Sequence, residues 1–253
     1  MSTLLETRNV SKSYGVFRAL ENVNMTVGED ELVSVVGPNG AGKTTLVNLL
    51  TGLLSPTSGE VLFMGETIAG VGPVALADQG LARAFQLIQI FPKLTVAETI
   101  ATAVISRQKK RWRLFSRLSE DKEVHQRVRK VAEIFGLSDR LGTVAAALSQ
   151  GEKKLLDVAS AFALDPQVIL FDEPTSGVST ADKHSIMKTL LAAARIAGVR
   201  GIVLVEHDMD LVSAYSTRVI ALAEGRVLAD LPPKKFFADP QLIGTVIGKR
   251  RTQ

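Results

Sequence analysis

The 253-residue chain contains no cysteine, which removes disulfides, thiol nucleophiles and cysteine-ligated metals together. Three scattered histidines are too few for a structural zinc site. No apolar stretch approaches the roughly 18–20 residues needed to cross a bilayer, and nothing at the N-terminus resembles a signal peptide; a soluble protein of the cytosol is expected. Internal repeats and low-complexity segments are lacking as well.

What is present suffices for a substantial core. Hydrophobic residues make up 46% of a 27.2 kDa chain, and one compact fold of that mass buries about 28,000 Å² of the unfolded chain's surface by size scaling. The formal charge of +4 is mild, and its excess is local. Arg107, Lys109, Lys110, Arg111, Arg113 and Arg117 crowd one segment, with Trp112 and Phe115 interleaved. The segment reads first as a solvated loop between helices; contact with anionic lipid headgroups or with nucleic acid are the alternatives. A second basic cluster, Lys249 to Arg251, reads as a frayed tail.

Residues 37 to 44 read GPNGAGKT, between the apolar run Leu32 to Val36 and the apolar-periodic stretch Thr44 to Leu50. Gly37, Gly40 and Gly42 let successive backbone N–H groups point into one concavity. Lys43 adds a mobile cation for β- and γ-phosphates, and Thr44 offers a hydroxyl to Mg²⁺. A chance match in a chain this long has a probability of about 1%, so the segment is a nucleotide-phosphate loop rather than a turn that merely caps a helix. Pro38, Asn39, Ala41 and Thr45 complete the nucleotide-binding stretch.

The chain divides into three stretches. From Leu4 to Phe63, strand-like runs punctuated by Gly15, Gly28 and Gly59 predict an antiparallel layer around a first parallel strand. From about Phe91 to Asp165 the period turns helical: KLTVAETIATAVI, then EVHQRVRKVAEIFGL ending near Gly136, then a helix after Gly151. From Val168 onward, the buried-strand runs VILFDEP and GIVLVEHD alternate with the helical ADKHSIMKTLLAAARIAG, a parallel α/β pattern, and VIALAEGRVLADL closes as a hairpin through Glu224 and Gly225. The VILFDEP run places Asp172 and Glu173 at the C-terminal mouth of a buried strand, where open parallel sheets bind ligands. Asp172 is assigned to a metal and Glu173 to the base that takes a proton from an attacking water.

Over essentially its whole length the chain resembles the ATP-binding cassette (ABC) ATPases, and the order of its motifs makes the match specific. The aromatic that stacks on adenine in that family falls on Tyr14 in SKSYG, its glutamine loop on Gln86 in RAFQ, its signature on LSQGE at Leu148 to Glu152, and its histidine switch on His207. Singly, these residues are equally well a strand aromatic, a surface amide, a helix cap and a strand-end histidine. The resemblance implies an α/β fold: a P-loop NTPase core with a mixed or parallel sheet, an N-terminal antiparallel β layer and a helical subdomain. It implies one ABC ATPase domain over 1–253, with core 1–90 and 165–253 and helical subdomain 91–164 carrying the signature.

Ser149 precedes the helical run EKKLLDVASAFAL, whose Leu155, Leu156, Ala159, Phe162 and Ala163 form an apolar stripe. Glu152 stands three residues after Ser149, the spacing of a capping box. A helix N-terminus with a hydroxyl and the flexible Gly151 is also an anion site. In the family this element grips the γ-phosphate held by the opposite subunit, so that ATP joins two subunits. Two departures stand out: the usual LSGGQ is LSQGE, with Gln150 and Glu152 replacing a glycine and a glutamine, and Ser179 stands where an aspartate is usual.

The activity implied is Mg²⁺-dependent ATP hydrolysis. Lys43 and the loop amides hold phosphates, Thr44, Asp172 and Gln86 secure Mg²⁺, Glu173 polarises water and His207 donates to the γ-phosphate. A lone cassette resembles the ATPase subunit of a transporter bound peripherally at the cytoplasmic face of the inner membrane. Its partners would be integral membrane permeases, a second ABC ATPase as homodimer or heterodimer and, indirectly, a periplasmic or extracellular solute-binding protein; no nucleic acid is expected. The stretches ARAFQLIQIFPKLTVAETI and VLVEHDMDLV look like the importers of branched-chain amino acids and related amides. Lipid or lipopolysaccharide export is the alternative, and a soluble ABC ATPase of translation or DNA repair a further one.

Overall fold

A computed structural model describes residues 2–84, 91–107 and 121–247. They form two compact units: residues 2–76, 168–173 and 200–247 in the first, and 77–84, 91–107, 121–167 and 174–199 in the second. In chain order, the first unit begins with β1 (Thr3–Tyr14), β2 (Phe17–Gly28), β3 (Glu31–Val36), α1 (Lys43–Leu50), β4 (Ser58–Phe63) and β5 (Glu66–Thr67). After α2 (Pro73–Gln79) come β6 (Leu81–Ala84), α3 (Val96–Arg107), α4 (Lys122–Ile134) and α5 (Gln150–Phe162). Then follow β7 (Val168–Asp172), α6 (Thr180–Ala197), β8 (Gly201–Val205) and α7 (Met209–Tyr215). The chain continues through β9 (Arg218–Ala223), β10 (Arg226–Leu231), α8 (Pro233–Phe237) and α9 (Pro240–Ile247).

The first unit has the two expected layers. One is an antiparallel sheet in the order β2-β1-β4-β5. In the other, β10, β9, β3, β8 and β7 lie side by side, with β3 parallel to β8 and β9, β7 parallel to β8, and β10 antiparallel to β9. The central strands are apolar without alternation because both faces are covered: every residue of β7 is buried, as are all of β3 but its first. Full burial of Val33, Val35 or Val36 contributes about 1.5–3 kcal/mol per side chain. The β9–β10 turn falls on Glu224 and Gly225, both at positive φ (48° and 75°), as the hairpin reading requires.

One punctuation mark is placed differently from the sequence reading. Gly59 lies inside β4 rather than between strands, at φ 80°, and a Cβ there would meet the Asn9 carbonyl oxygen at 2.3 Å. It marks a close approach of β4 to β1, where the register shifts between Arg8 and Ser11.

The second unit is built around α3, α4 and α5. Thr95 and Glu98 form a capping box at the start of α3, the Thr95 N–H donating to Glu98 Oε2 at 2.8 Å and the Glu98 N–H to Thr95 Oγ1 at 3.2 Å. The Asp121 carboxylate caps α4. Ile100, Val104, Val128, Val131, Leu156 and Ala159 are buried, and the Phe135 and Phe162 rings meet edge-on at 5.2 Å. On α5 the buried face is rotated slightly from the expected stripe: Leu155 is half-buried, whereas Val158 and Ala161 are buried. None of the described helices is long and apolar enough to cross a membrane.

Candidate functional site

Three adjacent parallel strands, β3, β8 and β7, open at one edge of the first unit's sheet. Gly37, the Glu206–His207 pair and Asp172–Glu173 emerge there, so strand order alone gathers residues far apart in sequence. Behind the phosphate loop the backbone is tightly packed. A Cβ on Gly37 would stand 2.3 Å from the Leu222 carbonyl oxygen, and one on Gly42, at φ 102°, would stand 2.6 Å from Leu20 Cδ2 and 2.8 Å from the Ala19 carbonyl oxygen. Gly40, at φ 81°, faces open space. Asn39 and Gly40 are exposed, Pro38 is half-buried and Ala41 buried. The loop is held from behind by β2 and β9 and is open in front, the shape a phosphate chain requires.

Helix α1 starts at Lys43 with neither a side-chain cap nor an acidic residue in its first turn, which leaves N-terminal N–H groups available to an anion. The Lys43 ammonium is buried and donates to the carbonyl oxygens of Gly37 at 2.7 Å and Pro38 at 3.0 Å. Burial lowers its pKa, while the nearby Glu173 and Asp172 carboxylates pull it back up. Thr44 is exposed and Thr45 half-buried at the start of the helix.

Asp172 is buried as the last residue of β7, opposite Val205 of β8. Glu173 follows at φ 53°, a left-handed backbone that is unusual for a non-glycine residue, and its N–H donates to the Val205 carbonyl at 2.9 Å. That turn directs the Glu173 carboxylate onto the imidazole of His207, whose Nε2 contacts Oε1. Glu206, buried between β8 and His207, accepts the backbone N–H of His207 at 3.0 Å and thereby shapes the turn that carries the imidazole. The sequence reading missed Glu206; the available signal was a carboxylate ending a buried strand.

Among the described residues no group of three or more His, Asp or Glu side chains could hold a metal by itself. Thr44 and Asp172 fit Mg²⁺ all the same, because that ion usually takes one or two protein oxygens and completes its shell from phosphates and water. Tyr14 stands at the exposed tip of the β1–β2 hairpin. Gln86 lies outside the described residues, as does the basic segment apart from Arg107, whose Nη1 donates to the Asp78 carbonyl at 2.7 Å.

In the second unit, Ser149 caps α5. Its hydroxyl oxygen accepts the Glu152 N–H at 3.2 Å, and Glu152 Oε2 accepts the Ser149 N–H at 2.8 Å, the expected capping box. Gly151 lies in the first turn rather than before it. Arg140 Nε donates to the other carboxylate oxygen of Glu152 at 3.0 Å. These partners, the Ser149 amide before Arg140, hold the Glu152 carboxyl below the usual carboxylate range. Ser179 caps α6 by position, and its hydroxyl donates to Asp182 Oδ2 at 2.6 Å.

Known proteins share this architecture and sequence. A family model described as ABC transporter matches residues 20–176. The probable branched-chain amino acid transport ATP-binding protein LivG of Archaeoglobus fulgidus is 30% identical over 257 residues, covering 99% of this chain and 97% of its own. The high-affinity branched-chain amino acid transport ATP-binding protein LivG of Escherichia coli (strain K12) is 31% identical over 253 residues, covering 97% and 98%. Among solved structures, the ADP conformation of MJ1267, an ATP-binding cassette of an ABC transporter, aligns with a TM-score of 0.84 at 27% identity over 98% of this chain and 100% of that one. The dimeric post-hydrolysis state of the cassette MJ0796 bound to ADP and Pi aligns with a TM-score of 0.76 at 26% identity over 91% and 99%. With the family match covering more than half of the chain and these relatives aligned along nearly all of it, the chain belongs to the ABC transporter family, as an ATP-binding subunit that hydrolyses ATP to power transport.

Proposed function

We propose that this subunit drives import of branched-chain amino acids or related amides, paired with a second ATPase of its kind and with integral membrane permeases at the cytoplasmic face of the membrane. The names of the relatives support the substrate class. The observation that carries the catalytic part is the meeting of Glu173 and His207 at the strand mouth that also holds Lys43 and Asp172.

In this reading Tyr14 stacks on adenine, and Lys43 leaves the loop carbonyls to take the β- and γ-phosphates, joined by the N–H groups of residues 37–45. Thr44, Asp172 and Gln86 would hold Mg²⁺, which would supply neutralisation of phosphate charge. Glu173 accepts the proton of the attacking water, and His207 donates to the γ-phosphate. Ser149 and Gly151 act on the nucleotide held by the second ATPase. A periplasmic solute-binding protein supplies the solute.

The test is ATP-driven uptake in proteoliposomes containing the permeases, with solute-binding protein outside. Leucine uptake that disappears with Glu173→Gln is expected; lipid translocation without amino-acid uptake would favour the export reading instead.

A further inference from the structure

The hairpin of β1 and β2 ends in an exposed tip: Tyr14 is 48% accessible, Phe17 62%, and Val16 is fully exposed. A ring at such a tip needs something to set its orientation before it can present one face to a base. Lys12 lies two residues earlier on the same strand, and its Nζ sits over the Tyr14 ring, 5.4 Å from the centroid. The same ammonium donates to the Ser55 carbonyl at 2.7 Å. Ser55 belongs to the loop that continues from α1, and that loop is bound to β1 again by Ser13 N–H to Thr57 Oγ1 at 3.0 Å and Thr57 N–H to the Ser11 carbonyl at 2.8 Å. The Lys12 charge is therefore anchored to the segment leaving the phosphate-loop helix while it covers one face of the ring. On its second strand, close to the same tip, the hairpin sets Leu20, the partner of Lys12, and Ala19 against Gly42. Ring and phosphate loop are thus joined through both β1 and β2.

We propose that Lys12 is a positioning residue for the nucleotide base. It holds the Tyr14 ring from one face by a cation–π contact, leaves the opposite face for the purine, and through Ser55 keeps the base and phosphate subsites at a set spacing. The proposal rests on the reading of Tyr14 as the base-stacking residue.

Calorimetric titration of the full chain with Mg-ATP and with Mg-tripolyphosphate, which has phosphates and no base, separates the two. Lys12→Met should weaken ATP about two- to fivefold and leave tripolyphosphate binding and turnover at saturating ATP unchanged. Lys12→Arg, which keeps a cation for the ring, should bind ATP like the parent. Tyr14→Ala should also weaken ATP selectively, and Lys12→Met added to it should change nothing further. Unchanged ATP affinity in Tyr14→Ala overturns the base-stacking reading and the proposal with it. If Tyr14→Ala weakens ATP while Lys12→Met does not, or if Lys12→Met weakens ATP and tripolyphosphate equally, the role of Lys12 is overturned and that of Tyr14 stands. Should Lys12→Met lower the thermal midpoint, Lys12→Gln compared with Lys12→Arg gives the same decision at matched stability.

Discussion

The imidazole of His207 meets the carboxylate of Glu173 across the mouth between β8 and β7. The contact depends on two backbone devices: the left-handed turn at Glu173, tied to the Val205 carbonyl, and the Glu206 carboxylate that receives the His207 N–H. The two groups proposed as proton acceptor and as donor to the γ-phosphate are thus positioned against each other.

From this relationship Glu173→Gln is expected to bind Mg-ATP with affinity close to the parent and to lose turnover by about 100-fold or more. Phosphate release measured beside nucleotide binding checks it, and near-parental hydrolysis would remove Glu173 from the role of base.

Lys43→Ala should weaken ATP binding by about 1.5–3 kcal/mol, the worth of hydrogen bonds to a charged group. An unchanged affinity in calorimetry would place the phosphates elsewhere. A pH effect accompanies it. Burial lowers the Lys43 pKa in the folded chain, so between that lowered value and the ordinary lysine range near ~10.4 the unfolded chain binds more protons. Stability without nucleotide therefore rises with pH through that window, and Lys43→Met should flatten the rise in denaturant titrations.

Ser149→Arg leaves the chain's own phosphate loop untouched, so monomeric ATP binding should persist while ATP-dependent dimerisation, followed by light scattering, fails. Mixing Ser149→Arg with Lys43→Ala chains puts both lesions at one composite site and should restore part of the hydrolysis with permease present. Loss of ATP binding by a folded Ser149→Arg monomer would leave Ser149 as a helix cap and nothing more.

The carboxylate of LSQGE is turned back into the capping box and matched by Arg140. Arg140→Gln should weaken ATP-driven dimerisation about two- to fivefold, as for an exposed ion pair. Glu152→Gln should be tolerated, and the double variant should recover. A double variant as impaired as Arg140→Gln would show that Arg140 acts through some group other than Glu152.

How far the sequence could be read follows from the range of each interaction. The phosphate loop, the Ser149–Glu152 box and the turn at Glu224 and Gly225 were all legible, because each is closed by hydrogen bonds or backbone angles within a few residues. The apolar runs of β3, β7 and β8 likewise marked buried parallel strands, since strands covered on both faces have no reason to alternate. Tertiary structure alone decided the lateral order that sets β8 between β3 and β7 and so brings Glu173 to His207. It also decided the pairing of Arg140 with Glu152, the seat of Lys12 between Tyr14 and Ser55, and the use of Gly59 as a point of contact rather than a turn. The physical reason is common to all of them. Local periodicity records which face of an element is buried, but which neighbour covers that face is settled by packing among segments distant in the chain, and periodicity carries no mark of it.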